Sequence, residues 1–169
     1  DVSSCLAKTG WIDANLYLTL YLIPLFAFAE ACIGIGLFVS GVFLVVICSL
    51  AFDQQLASLP LITLLAFVGA LLGDHVGYYV GKSFGPHFHR MSIIQKRREA
   101  ISKAEDMIKR YGPFAVFVGR FIPAIRSLIP ALLGITNFAK VKFSLLDSLA
   151  CFLWSLALAS IVAGLEIIF

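Results

Sequence analysis

The sequence predicts an all-α integral membrane protein with two re-entrant helical hairpins of opposite orientation and flanking transmembrane helices. Three observations predict it: an apolar composition, long stretches almost free of charge, and a hairpin-then-span pattern that occurs twice. Of 169 residues, 60% are apolar and 14% charged, whereas an ordinary soluble domain has about 45–50% and 25%. The mean hydropathy of the chain is +0.96. This composition excludes a disordered chain, a nucleic-acid-binding module and a water-soluble globule. The length predicts one membrane domain over residues 1–169.

The first apolar segment, residues 16–52, is predicted to hold a span and a hairpin that contains Glu30. Between Ala14 and Phe52, Glu30 is the only acidic or basic residue. The 39 residues of this stretch are long enough for two crossings of ~20 residues each. Pro24 and several glycines interrupt it. The residues therefore leave open two full spans, or one span followed by a re-entrant hairpin.

Residues 61–81 form a cleaner apolar stretch, which is predicted to span the membrane. The segment 82–110 follows with eight basic and three acidic residues, and the positive-inside rule places it in the cytoplasm. Its apolar residues recur on one helical face: Ile94, Ile101, Ala104, Ile108 and Tyr111. We interpret the segment as an amphipathic helix at the membrane surface. A charged cytoplasmic helix without a role toward lipid is the alternative.

The next segment, residues 111–139, is predicted to enter the membrane and return to the same side. Lys140 and Lys142 mark its far end as cytoplasmic. Crossing and coming back needs about 40 residues, and this segment has 29. Three prolines can interrupt a helix here: Pro113, Pro123 and Pro130. Non-helical backbone at such depth must be covered by protein or line a wet cavity, so the hairpin is expected to line a cavity.

Residues 143–166 form the last apolar stretch and are predicted to span the membrane. A hairpin-like segment followed by a span thus occurs twice, first around Glu30 and 61–81, then in 111–139 and 143–166. Two such units in opposite orientations make an inverted repeat, which is the architecture of many transporters.

Three charged residues have apolar neighbours in the sequence: Glu30, Arg120 and Arg126. A charge near the centre of a membrane helix costs on the order of 2.5–3.5 kcal/mol, so each needs a partner or a wet cavity. Pro123 lies between the two arginines, so a break there would bring both to one hairpin tip. Two guanidiniums form a fork suited to phosphate, with Glu30 as a neutralising partner. The alternative is that Glu30 and one arginine pair only to hold two hairpins together.

Other polar residues carry weaker hypotheses. Asp74 and Asp147 each lie near the end of a predicted span and suit capping or anchoring, and a proton-coupling role is an alternative for Asp74. The four cysteines form no C-x-x-C pair and are predicted to be buried hydrophobes, not a metal framework. The sequence predicts no metal and no cofactor.

The residues 119–126, Gly-Arg-Phe-Ile-Pro-Ala-Ile-Arg, followed by Pro130 and Gly134, resemble the G-R-F-x-P-x-x-R signature of the DedA family of membrane proteins, the SNARE-associated Golgi group. The run from Gly73 to Gly81, the basic stretch, the Tyr-Gly pair at 111–112 and Trp154 follow that family's order. The resemblance covers about residues 16–165.

The resemblance implies two facing re-entrant hairpins and lipid translocation. Bacterial members are implicated in recycling undecaprenyl phosphate, and eukaryotic relatives scramble phospholipids. Arg120 and Arg126 match the family's two arginines, and Glu30 matches a membrane acid linked to the proton motive force. Gly119, Pro123, Pro130 and Gly134 would shape the second hairpin. One departure concerns coupling: the family's proline and second acid are replaced here by Ser40 and Val42.

The resulting hypothesis is a lipid flippase of a bacterial inner membrane, not an enzyme, with residues 82–110 in the cytoplasm. Arg120, Arg126 and Glu30 would bind an anionic lipid phosphate head group, and Glu30 and Asp74 are the candidates for proton coupling. Membrane lipids are the expected partners, without nucleic acid, and self-association is left open. The alternatives are a proton-coupled carrier of a small ion or solute, a membrane enzyme acting on lipid phosphates, and a structural assembly factor.

Overall fold

A computed structural model describes residues 17–18, 20–32, 41–90, 92–96, 98–122 and 125–168. Within these ranges all regular structure is helical, which confirms the predicted all-α class. Two 3-10 turns, Gly85–Arg90 and Gly112–Phe114, join some of the helices. The helices are α1 (Leu20–Ala31), α2 (Gly41–Asp53), α3 (Leu59–Phe84), α4 (Ser92–Gln95), α5 (Arg98–Tyr111), α6 (Ala115–Arg120), α7 (Leu128–Ile135) and α8 (Lys140–Ile168).

Two helices of the described ranges are long and apolar enough to cross a membrane. Helix α3 has 26 residues and α8 has 29, which at 1.5 Å per residue gives about 39 and 44 Å, against a hydrocarbon core of ~30 Å. They run antiparallel, because Phe67 packs on Phe152 and Tyr78 stacks on Phe143. Antiparallel spans are what an inverted repeat requires.

Four shorter helices occupy the segments predicted to be hairpins. Helices α1 and α2 precede α3, and α6 and α7 precede α8. With 13 residues in α2, 6 in α6 and 8 in α7, none is long enough to cross the bilayer alone. Residues 33–40 and the predicted break at Pro123 lie outside the described residues, and the orientation of the hairpins in a bilayer stays a prediction.

Glycines bring α7 against α3 at backbone distance. A Cβ added to Gly81 of α3 would overlap the carbonyl oxygen of Ala131, and one added to Gly134 of α7 would overlap that of Tyr78. The Tyr78 hydroxyl also donates to the Phe138 carbonyl oxygen at 2.5 Å, just after α7. Small residues at a crossing allow such close packing of helices in membranes. The second hairpin is therefore fixed to the central span.

Helix α1 packs on the earlier part of α3 in the same way. A Cβ at Gly69 would lie 2.9 Å from the Cβ of Ala27, and one at Gly73 would lie 2.8 Å from the Phe28 carbonyl oxygen. Helix α3 thus contacts both hairpins, α1 through Gly69 and Gly73 and α7 through Gly81.

The outer surface of the long helices is apolar. Large side chains are exposed along one side of α3 and over much of α8 and α2; examples are Leu64, Leu72, Leu145, Leu149, Val46 and Leu50. A monomeric soluble protein rarely exposes contiguous apolar surface on this scale. These exposed apolar side chains are suited to contact with the acyl chains of a lipid bilayer.

The basic segment differs from the single surface helix that the sequence predicted. It is divided into a 3-10 turn, the one-turn helix α4 and helix α5. Ile101 and Ala104 of α5 are buried in a cluster with Ala115, Val116 and Ile129. The apolar face of α5 therefore packs on the second hairpin rather than on lipid, while basic side chains such as Lys103 and Lys109 are exposed.

The close crossing predicts a large effect of one methyl group. Gly134→Ala should destabilise the protein by about 1–3 kcal/mol, because the new Cβ has to push α7 away from the Tyr78 backbone. Gly164→Ala is the matched control: a Cβ there meets nothing within 4 Å, and alanine favours the helix by up to ~1 kcal/mol. Unfolding by SDS in mixed micelles measures both, and equal stabilities of the two variants would contradict the crossing.

Candidate functional site

Arg126 and Glu30 form a buried ion pair between the two hairpins. Arg126 lies in the turn between α6 and α7, where its backbone N–H donates to the Ile122 carbonyl oxygen at 3.1 Å. Its Nη1 is 2.7 Å from Oε1 of Glu30, the penultimate residue of α1. Gly41, the first residue of α2, leaves the room for this carboxylate, because a Cβ there would lie 2.7 Å from the same oxygen.

Arg120 pairs with acids of both long helices. Its Nη1 donates a short hydrogen bond to Oδ2 of Asp74 on α3 and lies 3.7 Å from Oδ1 of Asp147 on α8. The Cys151 thiol lies 3.6 Å from Asp74 Oδ2 and 3.8 Å from Asp147 Oδ1. The last residue of α6 is thereby tied to the two helices that are long enough to cross a membrane.

The indole of Trp154 lies beside both guanidiniums. Its ring centroid is 5.4 Å from the Cζ of Arg120 and 5.1 Å from that of Arg126. Both distances are within the ~6 Å of a cation–π contact, in which the ring face attracts the positive charge. Trp154 therefore stabilises two cations of like charge that share one site.

These residues line a cavity of about 240 Å³. Its polar wall consists of Glu30, Arg120 and Arg126. The apolar wall comes from α2, α8 and the second hairpin, and consists of Gly41, Val45, Phe121, Trp154, Ala157, Leu158 and Ile161. An apolar groove of about 390 Å³ between α2 and α8 shares Val45 with the cavity; it is lined by Val45, Val46, Ser49, Leu50, Phe52, Asp53, Val162 and Leu165.

Both arginines keep hydrogen-bond donors without partners. Among the described residues, Nε and Nη2 of Arg120 and Nη2 of Arg126 are buried and make no hydrogen bond. Each arginine uses Nη1 for its carboxylates, so other N–H groups of the guanidiniums remain. A guanidinium carries five donors in a fixed plane, and buried donors without partners are costly. The site can satisfy them with an acceptor-rich anion.

The structure brings some of the predicted site residues together. Glu30, Arg120 and Arg126 lie at one cavity, and Asp74 borders it through Arg120. Pro130 lies in the first turn of α7, where helical N–H groups have no intrahelical partner, so it begins the helix rather than interrupting one. Gly119 packs α6 on Ile129, and Gly134 packs α7 on α3.

Two residues that line or border the site were underrated from sequence. The sequence favours an anchoring role for Asp147 near a span terminus, but in the structure this residue is fully buried beside Arg120. The sequence indicates Trp154 only through its place in the family order. Both lie on one face of α8 with Cys151 and Leu158, at spacings of four, three and four. That helical spacing around an intramembrane acid was the available signal.

One group of side chains has the composition of a metal site. Ligand atoms of Asp74, Asp147 and Cys151 lie within 4.8 Å of one another. The Arg120 guanidinium already supplies positive charge to both carboxylates, so the group is better described as an acid pair bridged by arginine.

Comparison with known proteins identifies the family of this chain. The model of the VTT domain matches residues 37–164, most of the chain. The chain belongs to the VTT-domain family. The resemblance to DedA proteins that the arginine motif indicated is thereby confirmed, and the chain is a membrane protein of that family.

Several bacterial proteins are similar to this chain. The inner membrane protein YabI of Escherichia coli is 27% identical over 85% of this chain and 57% of its own length. The inner membrane protein YohD of the same organism is 29% identical over 83% and 73%. An alkaline phosphatase-like protein of Lactococcus lactis is 31% identical over 59% and 50%. The chain spans little more than half the length of several curated relatives that it matches. No solved structure matches it.

The Arg126–Glu30 pair predicts non-additive stability. Glu30→Gln and Arg126→Gln should each destabilise the protein by about 3–5 kcal/mol, because each leaves one buried charge without its partner. The double variant should lose clearly less than the sum of the two. A double-mutant cycle on SDS unfolding measures the coupling, with Lys109→Gln on the exposed side of α5 as the control. Additive losses would rule out a direct pair.

Proposed function

We propose that this protein moves an anionic lipid phosphate across a membrane, with Arg120 and Arg126 holding the head group. The substrate class is a phosphate group on a long apolar tail. Undecaprenyl phosphate and anionic phospholipids are its candidate members. The bacterial inner membrane is the proposed location, with residues 82–110 in the cytoplasm, and association into homo-oligomers is compatible with this function.

The observation that carries the proposal is the set of unpartnered guanidinium donors at the cavity. Phosphate oxygens accept several hydrogen bonds at once and match the planar arrangement of guanidinium N–H groups. The donors on Nε and Nη2 of Arg120 and on Nη2 of Arg126 need such an acceptor. A phosphate can therefore bind without breaking the ion pairs that Nη1 makes.

The adjoining groove supports a lipid rather than a small ion as the substrate. It joins the charged cavity at Val45 and continues between α2 and α8, where most of its lining is apolar. A head group in the cavity would leave its tail along this groove. A carrier of inorganic ions does not need an apolar groove beside its binding site.

The cavity is chemically suited to binding rather than hydrolysis. Its described lining includes no serine, histidine or cysteine, the side chains that most often supply a nucleophile or general base. One relative is named alkaline phosphatase-like, so phosphate release is the relevant control measurement.

Replacing either arginine should abolish most lipid movement. Arg120→Gln and Arg126→Gln remove charged hydrogen bonds worth ~1.5–3 kcal/mol each, so flipping of a fluorescent polyprenyl phosphate in proteoliposomes should fall about tenfold or more. Lys103→Gln, on the exposed side of α5, should leave the rate unchanged. Helix content by circular dichroism verifies that each variant is folded.

Three outcomes of the same preparation would overturn the proposal. Unchanged flipping in a folded Arg126→Gln variant would remove the head-group role of that side chain. Movement of ions driven by a pH gradient, without lipid movement, would favour the proton-coupled carrier. Release of inorganic phosphate from the lipid would favour an enzyme.

Obstructing the groove should slow lipid flipping without weakening the binding of the head group. Val46 is half exposed and lines the groove on α2, so Val46→Trp should slow flipping while binding of soluble glycerol phosphate is unchanged. Val68→Trp, at a comparably exposed position on α3, is the control for a bulky ring on the lipid-facing surface. If the two tryptophan variants flip lipid equally well, the tail does not use the groove.

A further inference from the structure

Two carboxylates share one guanidinium behind the cavity. Asp74 on α3 and Asp147 on α8 are 2% and 0% exposed, and both contact the same Nη1 of Arg120. Their carboxylate oxygens and the Cys151 sulfur lie within 4.8 Å of one another. Two like charges this close in an apolar interior repel strongly, and one guanidinium neutralises only one of them.

The charge of the whole site leads to the same conclusion. Three buried carboxylates, those of Glu30, Asp74 and Asp147, face two guanidiniums in the described residues. Arg126 neutralises Glu30 at 2.7 Å, so the surplus negative charge falls on the Asp74–Asp147 pair. An uncompensated charge at such depth is expensive. Binding one proton makes the site neutral.

A proton on Asp147 also satisfies the hydrogen-bond geometry better than one on Asp74. Asp74 accepts the short hydrogen bond from Arg120, whereas Oδ2 of Asp147 has no hydrogen-bond partner among the described residues. A carboxylate oxygen without a donor gains little from being charged. The protonated form can instead donate to its neighbours.

His75 links this acid to the edge of the protein. Its Nδ1 lies 3.5 Å from Asp147 Oδ2 and 2.8 Å from the Leu71 carbonyl oxygen, which assigns the hydrogen to Nδ1. Its Nε2 is 3.1 Å from the Ser144 hydroxyl and accepts from it. The His75 side chain is 26% exposed. Ser144 lies one turn closer than Asp147 to the start of α8, where Lys140 and Lys142 are found.

We propose that Asp74 and Asp147, bridged by Arg120, form a proton-binding site that exchanges its proton through His75 with the end of the bundle that carries Lys140 and Lys142. The site is distinct from the Glu30–Arg126 pair, and both of its carboxylates lie on the long helices. Its coupling to lipid movement rests on the function proposed above, but proton binding itself does not.

The proton transfer is balanced without any further reactant. Nε2 of His75 takes a proton from water or through the Ser144 hydroxyl, and Nδ1 gives its own proton to Asp147 Oδ2. The aqueous side has then lost one proton, and the imidazole is left with its hydrogen on Nε2. It returns to the Nδ1–H tautomer when Nδ1 binds a proton from water and Nε2 releases one to water, an exchange that leaves the proton count unchanged. The titratable groups that face the pair are His75 on α3, Cys151 on α8, Arg120 on α6, and the neighbouring Glu30 and Arg126.

Infrared spectroscopy of the protein in phosphatidylcholine nanodiscs tests this site without any lipid substrate. At neutral pH the wild type should give the carbonyl band of a protonated carboxylic acid, shifted in heavy water. Asp147→Asn should remove the band, and Asp106→Asn, which changes an exposed acid of α5, should retain it. Isotopic labelling of aspartate alone should shift the band, which identifies the acid even if a variant fails to fold.

The rate of hydrogen exchange in heavy water tests the role of His75. His75→Gln keeps a polar side chain but cannot relay a proton, so the band should persist while its exchange in heavy water slows about tenfold or more. Unchanged exchange in this variant would overturn the route.

A wild type without the band, or a band insensitive to aspartate labelling and lost in Glu30→Gln, would overturn the site. An aspartate band together with a failed flipping assay would retain the site and reject the lipid function.

Discussion

The neutralisation of two arginines inside an apolar helical bundle is the constraint on which this structure depends. Each guanidinium needs an acid, and the acids come from different helices: Glu30 from α1, Asp74 from α3 and Asp147 from α8. The second hairpin supplies both arginines, so it is tied electrostatically to the first hairpin and to both long helices. In an interior of low dielectric, an ion pair that loses one partner destabilises the fold far more than its formation stabilised it. The charges of the site therefore also contribute to the packing of the hairpins.

Close helix packing determines where those charges lie. Helix α7 is held to α3 through Gly81 and Gly134, and α7 directly follows the turn that carries Arg126. Nearer the start of α3, α1 packs against Gly69 and Gly73, which positions Glu30 near its arginine. Gly41 has no side chain and thereby leaves room for the Glu30 carboxylate. Small residues thus allow the backbone contacts, and the contacts bring the charges within hydrogen-bond distance.

The sequence predicts the parts of this arrangement that depend on local chemistry. Apolar length predicts the long helices, and an isolated charge among apolar residues singles out Glu30, Arg120 and Arg126. The partner of each arginine is not a local property, because Arg120 and Asp74 are 46 positions apart and periodicity describes only one helix at a time. Asp147 illustrates the difficulty: near a helix terminus an aspartate normally caps or anchors, and only the packing of α8 on α3 buries it. The apolar face of α5 was predictable, but its protein partner was not.

The unpartnered guanidinium donors and the surplus carboxylate impose opposite requirements on a ligand. The donors favour an anion, whereas three carboxylates around two arginines repel one as long as all are ionised. A proton on the acid pair removes the surplus charge and lowers the cost of bringing a phosphate into the cavity. Linkage makes this effect reciprocal, because a phosphate at Arg120 must favour proton binding at Asp147 by the same free energy.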